Sequence, residues 1–334
     1  MSHTITLSPS GHCFRVDEGE TILEAALRSG LAVNYHCANG SCGGCRARIV
    51  DGEVSKHLHS DFIYKGAEKN QPMLLICRAL PASDMVIEMQ EALSADDIPQ
   101  QQITATVTRL DLLNDDVLDM QLRTPRSQTL RFLAGQHVTL QLGDLPPRNK
   151  SVASCPCNGR ELQFHFKRSA GDAFSHYVFE SLRLKDKVDV IGPDGDFVLD
   201  EHSRHNLLFI AYETGFAPLK SLIEHAISLE LPVDIRLLWL ARSTDGHYQR
   251  NYCRAWKDAL ENFDYSLMTL DQASVEADDE NEMLRTALNS IQASVEAMGE
   301  ADVYMAAPEN LLVVLQKRLE DLPVHSIRMI SNNM

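Results

Sequence analysis

Residues 37–45 read Cys37-Ala-Asn-Gly-Ser-Cys42-Gly-Gly-Cys45, and a fourth thiol, Cys77, closes the later stretch Leu75-Ile76-Cys77. Glycine takes positive φ at no steric cost. Gly40, Gly43 and Gly44 therefore let the backbone turn tightly and bring its amides close to the sulfurs. Buried structural thiols alone would leave these glycines unexplained. Of the eight cysteines, Cys13, Cys155, Cys157 and Cys253 lie outside this set. Cys155-Pro-Cys157 is too tight for an ordinary disulfide and is not a C-x-x-C redox pair. All four are expected as reduced thiols in a reducing compartment.

The spacing C-x4-C-x2-C with a distant fourth Cys is that of a plant-type [2Fe–2S] cluster. Four thiolates must converge on two irons, and a short loop must fold around them. A zinc site usually draws on two short Cys pairs, and here the fourth Cys stands alone. A Rieske centre needs two His ligands, and no C-x-H pattern occurs. His36, beside Cys37, reads as a loop neighbour. Cys37, Cys42, Cys45 and Cys77 are the predicted metal ligands. Backbone amides aimed at the sulfurs stabilise the cluster's negative charge and tune its potential, which is about −400 mV for this type.

The chain of 334 residues is long enough for two or three domains. Apolar residues make up 44%, so each domain can bury a core. A formal net charge of −16 excludes nucleic acid as a partner, because no basic stripe is available for phosphates. The charge permits docking on a basic protein face. No apolar run approaches the ~18 residues of a membrane span. Met1-Ser-His-Thr-Ile-Thr-Leu lacks the basic and apolar segments of a signal peptide, so a cytoplasmic protein is expected.

Three patterns follow one another along the chain. In residues 1–93, Thr4–Leu7 and Cys13–Val16 predict a hairpin. Thr21-Ile-Leu-Glu24 is a capping box that opens a helix, which Gly30 ends. Strands are expected at Arg46–Val50, Met73–Cys77 and Met85–Met89. Residues 94–101 are polar, carry Pro99 and predict a linker. Residues 102–200 hold short alternating strands, at 104–110, 117–122, 138–142 and 162–166, with one helix at Phe174–Leu182. That pattern predicts an antiparallel β-barrel. From 201 to 334, strands and helices alternate, which predicts a doubly wound parallel α/β lobe. Such sheets bind ligands at the carboxyl ends of their strands. Gln272–Ala277 recurs as Gln292–Ala297 in an acidic stretch, and is read as chance.

This arrangement resembles the ferredoxin-fused members of the ferredoxin–NAD(P)H reductase superfamily, such as oxygenase reductase components and the CDP-6-deoxyglucoseen reductases. The resemblance implies a mixed multidomain α/β and β fold: a β-grasp plant-type ferredoxin domain, the barrel and the lobe. It also implies FAD and NAD(P)H as cofactors and a protein electron acceptor of oxygenase or dehydratase type. Relatives carry R-x-Y-S in the flavin site, and here the motif is Arg148-Asn149-Lys150-Ser151. By this resemblance Arg148 pairs with the FAD diphosphate and Ser151 also contacts the flavin. Lys150 stands where relatives stack a Tyr on the isoalloxazine, and Ser175 matches a second phosphate contact. Gly192-Pro-Asp-Gly195-Asp-Phe197 is like the family's G-P-x-G-x-F turn.

The nucleotide motifs depart further. Where relatives read G-G-T-G-I-A-P, this chain has Tyr212-Glu213-Thr214-Gly215-Phe216-Ala217-Pro218. Tyr212 and Glu213 are expected to bring bulk and charge to that loop. One bare charge about 4 Å from a phosphate costs about 4 kcal/mol at an effective dielectric near 20. Removing both side chains is then expected to restore NADH binding. Ala306-Ala307-Pro308-Glu309 replaces C-G-P-P, and no terminal aromatic is present to stack on the flavin. Thr214, Gly215 and Arg242 are the remaining candidate nucleotide contacts. The expectation is an electron-transfer iron–sulfur protein on a reductase scaffold, with an impaired nucleotide site and a protein electron donor. The alternative is a complete NAD(P)H–FAD–[2Fe–2S] reductase. A purely structural role for the cluster fits the intact Gly-rich loop least well.

Overall fold

A computed structural model describes residues 2–332, apart from Gly30, Leu93, 126–127 and 271–281. The expected stop at Gly30 and the first copy of the Gln272–Ala277 sequence lie outside the described residues.

The N-terminal part contains β1 (His3–Ser8), β2 (Cys13–Val16), α1 (Ile22–Arg28), β3 (Arg46–Asp51), β4 (Val54–His57), β5 (Met73–Leu75), β6 (Ala79–Pro81) and β7 (Met85–Glu88). Its main sheet runs β2-β1-β7-β3-β5. β1 and β7 are parallel and the other pairs antiparallel, so α1 crosses the face of a β-grasp sheet. The capping box at Thr21 and Glu24 closes the start of the helix as expected, and Ile22, Leu23, Ala25 and Ala26 bury its inner face against Ile5, Leu7 and Ile87.

The second part contains β8 (Gln101–Leu112), β9 (Val117–Arg123), β10 (His137–Gln141), β11 (Arg148–Ser151), β12 (Glu161–Lys167), α2 (Ala173–Glu180) and β13 (Lys187–Asp194). Its antiparallel order is β11-β10-β13-β8-β9-β12. The Ala153 amide donates to Gln163 C=O across the gap between the end strands, which nearly closes the barrel. β11 was not expected from the sequence. Its four residues are exposed or half-buried, so no apolar alternation announces it, and pairing with β10 makes it a strand. In the stretch read as a linker, Ile98 packs with Ala92 and Leu133.

The third part contains β14 (Asn206–Tyr212), α3 (Phe216–Ser228), β15 (Ile235–Ala241), α4 (Arg250–Ala259), β16 (Phe263–Thr269), α5 (Glu282–Met298), β17 (Ala301–Ala307), α6 (Glu309–Leu319) and β18 (Val324–Ser331). The sheet is parallel, in the order β16-β15-β14-β17-β18. Two cores flank it. One packs Phe216, Leu219 and Cys253 from α3 and α4 on one face. The other packs Leu284, Leu288 and Leu311 from α5 and α6 on the opposite face. This is the doubly wound arrangement. The half-exposed edge strand β18 is absent from the sequence expectation.

The parts are held against one another by polar contacts. Lys220 of α3 reaches Ala153 C=O at 3.2 Å and Gln163 Oε1 at 3.1 Å, and Ser221 Oγ donates to Ser154 C=O at 2.8 Å. These bonds fix the barrel opening against the carboxyl end of the parallel sheet. Thr129 Oγ1 donates to the His36 carbonyl at 3.1 Å, which docks the base of the Cys loop onto the barrel.

Candidate electron-transfer site

Strand pairing brings two of the four thiols together. Cys45 immediately precedes β3, Cys77 follows β5 with Ile76 between them, and Arg46 lies opposite Leu75 in the ladder. The two sulfurs are 3.1 Å apart. Cys37, Cys45 and Cys77 are buried and Cys42 is exposed. The loop between them follows glycine's conformational freedom: φ is +84° at Gly40 and +73° at Gly43. A Cβ on Gly43 would lie 2.1 Å from the Phe62 ring, and one on Gly44 would lie 2.6 Å from the His36 ring.

Amides point at sulfur as the spacing implies. Cys42 N–H approaches Cys37 Sγ at 3.4 Å, and Gly44 N–H approaches Cys42 Sγ at 3.3 Å. Burial opposes charge on Cys37. The Ser41 hydroxyl, the amides of Asn39 and Cys42 and the Cys42 thiol more than offset it, lowering the Cys37 thiol to about 6. The donor set, the glycine cradle and the directed amides fit an iron–sulfur cluster.

The second feature is a cavity of about 550 Å³ between barrel and lobe. It brings together Arg148, Lys150, Ser151, Ser175 and Thr214. Gly215 is not on the wall. Its Cα packs so closely on β17 that a Cβ would lie 2.1 Å from Ala306 C=O. Arg148 is held by Asp172 at 2.7 Å, and the same carboxylate caps α2 by accepting from Phe174 N–H at 3.1 Å. Ser175 Oγ accepts from Ser169 N–H at 2.9 Å. A guanidinium beside a helix N-terminus is a diphosphate-binding arrangement. Lys150 Nζ lies 5.0 Å from the Phe166 ring centre, and burial pushes its pKa down, with Asp172 acting the other way. It is a wall residue of the cavity, half-buried over an aromatic face.

Several cavity residues were not read from the sequence, namely His165, Lys167, Asp172 and the C-terminal Ile330–Asn332. His165 and Lys167 stand two apart on β12, and strand periodicity puts such residues on one face, but the strand's register is needed to say which face. His165 is 3% exposed. Its Nδ1 lies 3.0 Å from Tyr248 Oη, and burial, helped by Lys220, lowers its pKa to about 3. It is a neutral imidazole.

The structure changes the reading of Tyr212 and Glu213. Tyr212 is 2% exposed and belongs to the core beneath α5 and α6, so its ring does not fill the cavity. Glu213 is 3% exposed. Its carboxylate pairs with Lys167, accepts from Arg242 N–H at 2.6 Å and lies 3.7 Å from Arg242 Nε. The cost reckoned for a bare charge therefore does not apply. The residue also adopts φ of +52°, the left-handed conformation that glycine takes freely. Arg242 stands at the carboxyl end of β15 beside this pair. Asn332 holds the crevice from the other side. Its Nδ2 donates to Tyr212 C=O at 3.0 Å, and its amide donates to Ala307 C=O at 3.2 Å. These carbonyls belong to the last residues of β14 and β17.

Comparison with known proteins decides the family. The 2Fe-2S iron-sulfur cluster binding domain family matches residues 5–82, and the oxidoreductase FAD-binding domain family matches residues 104–199. The chain belongs to the ferredoxin-fused ferredoxin–NAD(P)H reductase superfamily. It is 29% identical over 278 residues to the terephthalate 1,2-dioxygenase reductase component 1 of Comamonas sp., covering 83% of this chain and 82% of the relative. It is 31% identical over 226 residues to a phenol 2-monooxygenase reductase component of Pseudomonas sp. strain CF600, covering 67% and 64%. It is 29% identical over 243 residues to the CDP-6-deoxy-L-threo-D-glycero-4-hexulose-3-dehydrase reductase of Yersinia pestis, covering 72% and 71%. In fold it is similar to a cytochrome P450 reductase of Amycolatopsis, with a TM-score of 0.57 at 23% identity over 97% of this chain and 98% of the other. As a member of this superfamily the chain is an electron-transfer reductase, with a [2Fe–2S] cluster and FAD as its cofactors. No described helix is long and apolar enough to cross a membrane.

Proposed function

We propose that this reductase passes single electrons from FAD in the barrel–lobe cavity, through a cluster on Cys37, Cys42, Cys45 and Cys77, to a protein acceptor that docks beside Cys42. The acceptor is an oxygenase or dehydratase component of the kind served by the relatives. The observation that carries the reading is the single cavity gathering Arg148, Lys150, Ser151 and Ser175 from the barrel with Thr214 and Asn332 from the lobe. Arg148 and the start of α2 would hold the flavin's diphosphate, and Ser151 and Lys150 would face its ring system. When bound, FAD converts a two-electron hydride into single electrons, the form a [2Fe–2S] cluster takes. On the protein side, the exposed Cys42 gives a partner an approach to the cluster edge.

Hydride entry is the impaired step in this reading, and the obstacle is Asn332. Nicotinamide binding on a doubly wound sheet needs the carboxyl ends of its strands, and Asn332 is bonded to two of them. One observation favours a complete NAD(P)H reductase instead: the negative charge of Glu213 is already met by Lys167 and Arg242. An anaerobic NADH titration of the purified protein, followed by dithionite, separates the two. The expected result is a visible spectrum that ignores NADH and bleaches with dithionite, with NADH bleaching gained in Asn332→Ala. Full bleaching of flavin and cluster bands by NADH in the unaltered protein would overturn the impairment. Failure of dithionite to bleach a cluster band would overturn the electron-transfer reading itself.

A further inference from the structure

At the opposite end of the parallel sheet from the cavity, three side chains meet that electron transfer does not use. His205 immediately precedes β14, Asp302 lies at the start of β17, and His325 lies at the start of β18. One potential ligand atom from each falls within 4.8 Å of the others. The two imidazole rings are 3.8 Å apart, centre to centre, at an angle of 34°. His325 Nδ1 is 2.9 Å from Asp302 Oδ1.

Asp302 supplies an independent observation. Its residue is 1% exposed. Ser326 and His325 both address Oδ1 and the Ser203 side chain also faces the carboxylate, while no donor meets the buried Oδ2 in hydrogen-bond geometry. A buried carboxylate oxygen without a donor is costly, and a cation beside it removes the cost. Arg328 does not fill that role: its guanidinium reaches Asp200 Oδ2 at 3.3 Å and Tyr304 Oη at 3.3 Å. The exposed Glu300 lies 3.5 Å from His205 Nε2 and stands outside the three-residue cluster. Two imidazoles and a carboxylate suit borderline divalent transition metals rather than calcium or magnesium.

We propose that His205, Asp302 and His325 form a structural site for a divalent transition-metal ion, with zinc as its natural probe. Bonds of about 2.0–2.2 Å in tetrahedral geometry set zinc ligands roughly 3.4 Å apart. His325 Nδ1 and Asp302 Oδ1, at 2.9 Å, are closer than that, and the three ligand atoms lie within 4.8 Å of one another, so binding requires a side-chain rotation, which the half-exposed His325 allows. The bound ion would tie the amino ends of β14, β17 and β18 together, at the edge of the lobe remote from the flavin. It would act on stability and leave electron transfer alone.

The test is equilibrium dialysis of the full-length holoprotein against low-micromolar zinc, with bound zinc and iron measured by elemental analysis. His205→Ala and His325→Ala are carried in parallel, since neither side chain is part of the buried core. The expected result is one more zinc per chain in the unaltered protein than in either variant, with zinc affinity at least about tenfold weaker in the variants. Iron content stays the same in all three. Zinc should also raise the melting temperature of the unaltered protein and not of the variants. Equal zinc in all three proteins, or a zinc gain matched by iron loss, would overturn the site.

Discussion

The loop around Cys42 and the loop after β14 both turn the backbone through positive φ, yet they are made differently. The Cys loop takes positive φ at Ala38, Gly40 and Gly43, and at the two glycines Arg78 and Phe62 leave no room for a side chain. The loop after β14 places Glu213 at φ of +52°, where the motif of the resembled family implies glycine. It holds that residue with Lys167 from the barrel and with Arg242 from the next strand. One loop is specified by local steric freedom. The other is specified by long-range ion pairs, so its substitutions cannot be judged from the loop alone.

The largest expected effect lies in the first loop. Gly43→Val places a branched side chain at φ of +73°, against Phe62. We expect the protein to lose most of its iron and its cluster absorbance, while FAD is retained. A variant with full iron content would erase the contrast between the loops. In the second loop, Glu213→Gln leaves the Lys167 ammonium buried without its counter-charge. Breaking a buried pair costs about 3–5 kcal/mol, read as a lower urea midpoint. No NADH binding should appear with it, and tighter NADH binding in this variant would restore charge repulsion as the block.

The smallest effect, taken per pH unit, concerns acid stability. His165 has an ordinary value of 6.5 and is lowered to about 3, so between those limits the unfolded chain binds a proton that the folded one refuses. Stability therefore falls as pH drops through that window, by up to ~1.4 kcal/mol per pH unit from this one group. His165→Asn should flatten the decline. An unchanged acid slope would show that the barrel–lobe boundary is not what makes the fold acid-sensitive.

Much of the scaffold was legible because its signals are local. The capping box at Thr21 and Glu24, the alternation of β8, β9 and β12, and the apolar run of β14 each announce an element within a few residues. The polar strand β11 and the edge strand β18 carry no such pattern and exist because a neighbour pairs with them. The site divides in the same way. Arg148, Ser151 and Ser175 stood out by motif, whereas Lys167, Asp172 and Asn332 reach the cavity only through folding.

By itself the sequence singled out the thiol set, the succession of strand and helix patterns and the capacity for one-electron chemistry, since spacing, glycine and periodicity are properties of neighbouring residues. The tertiary structure decided what Tyr212 and Glu213 do. It buried the Tyr212 ring in the core under α5 and α6, met the Glu213 carboxylate with Lys167, and brought Asn332 from the far end of the chain to the strand ends. The energy of a buried charge depends on what surrounds it, and those surroundings come from residues distant in the chain.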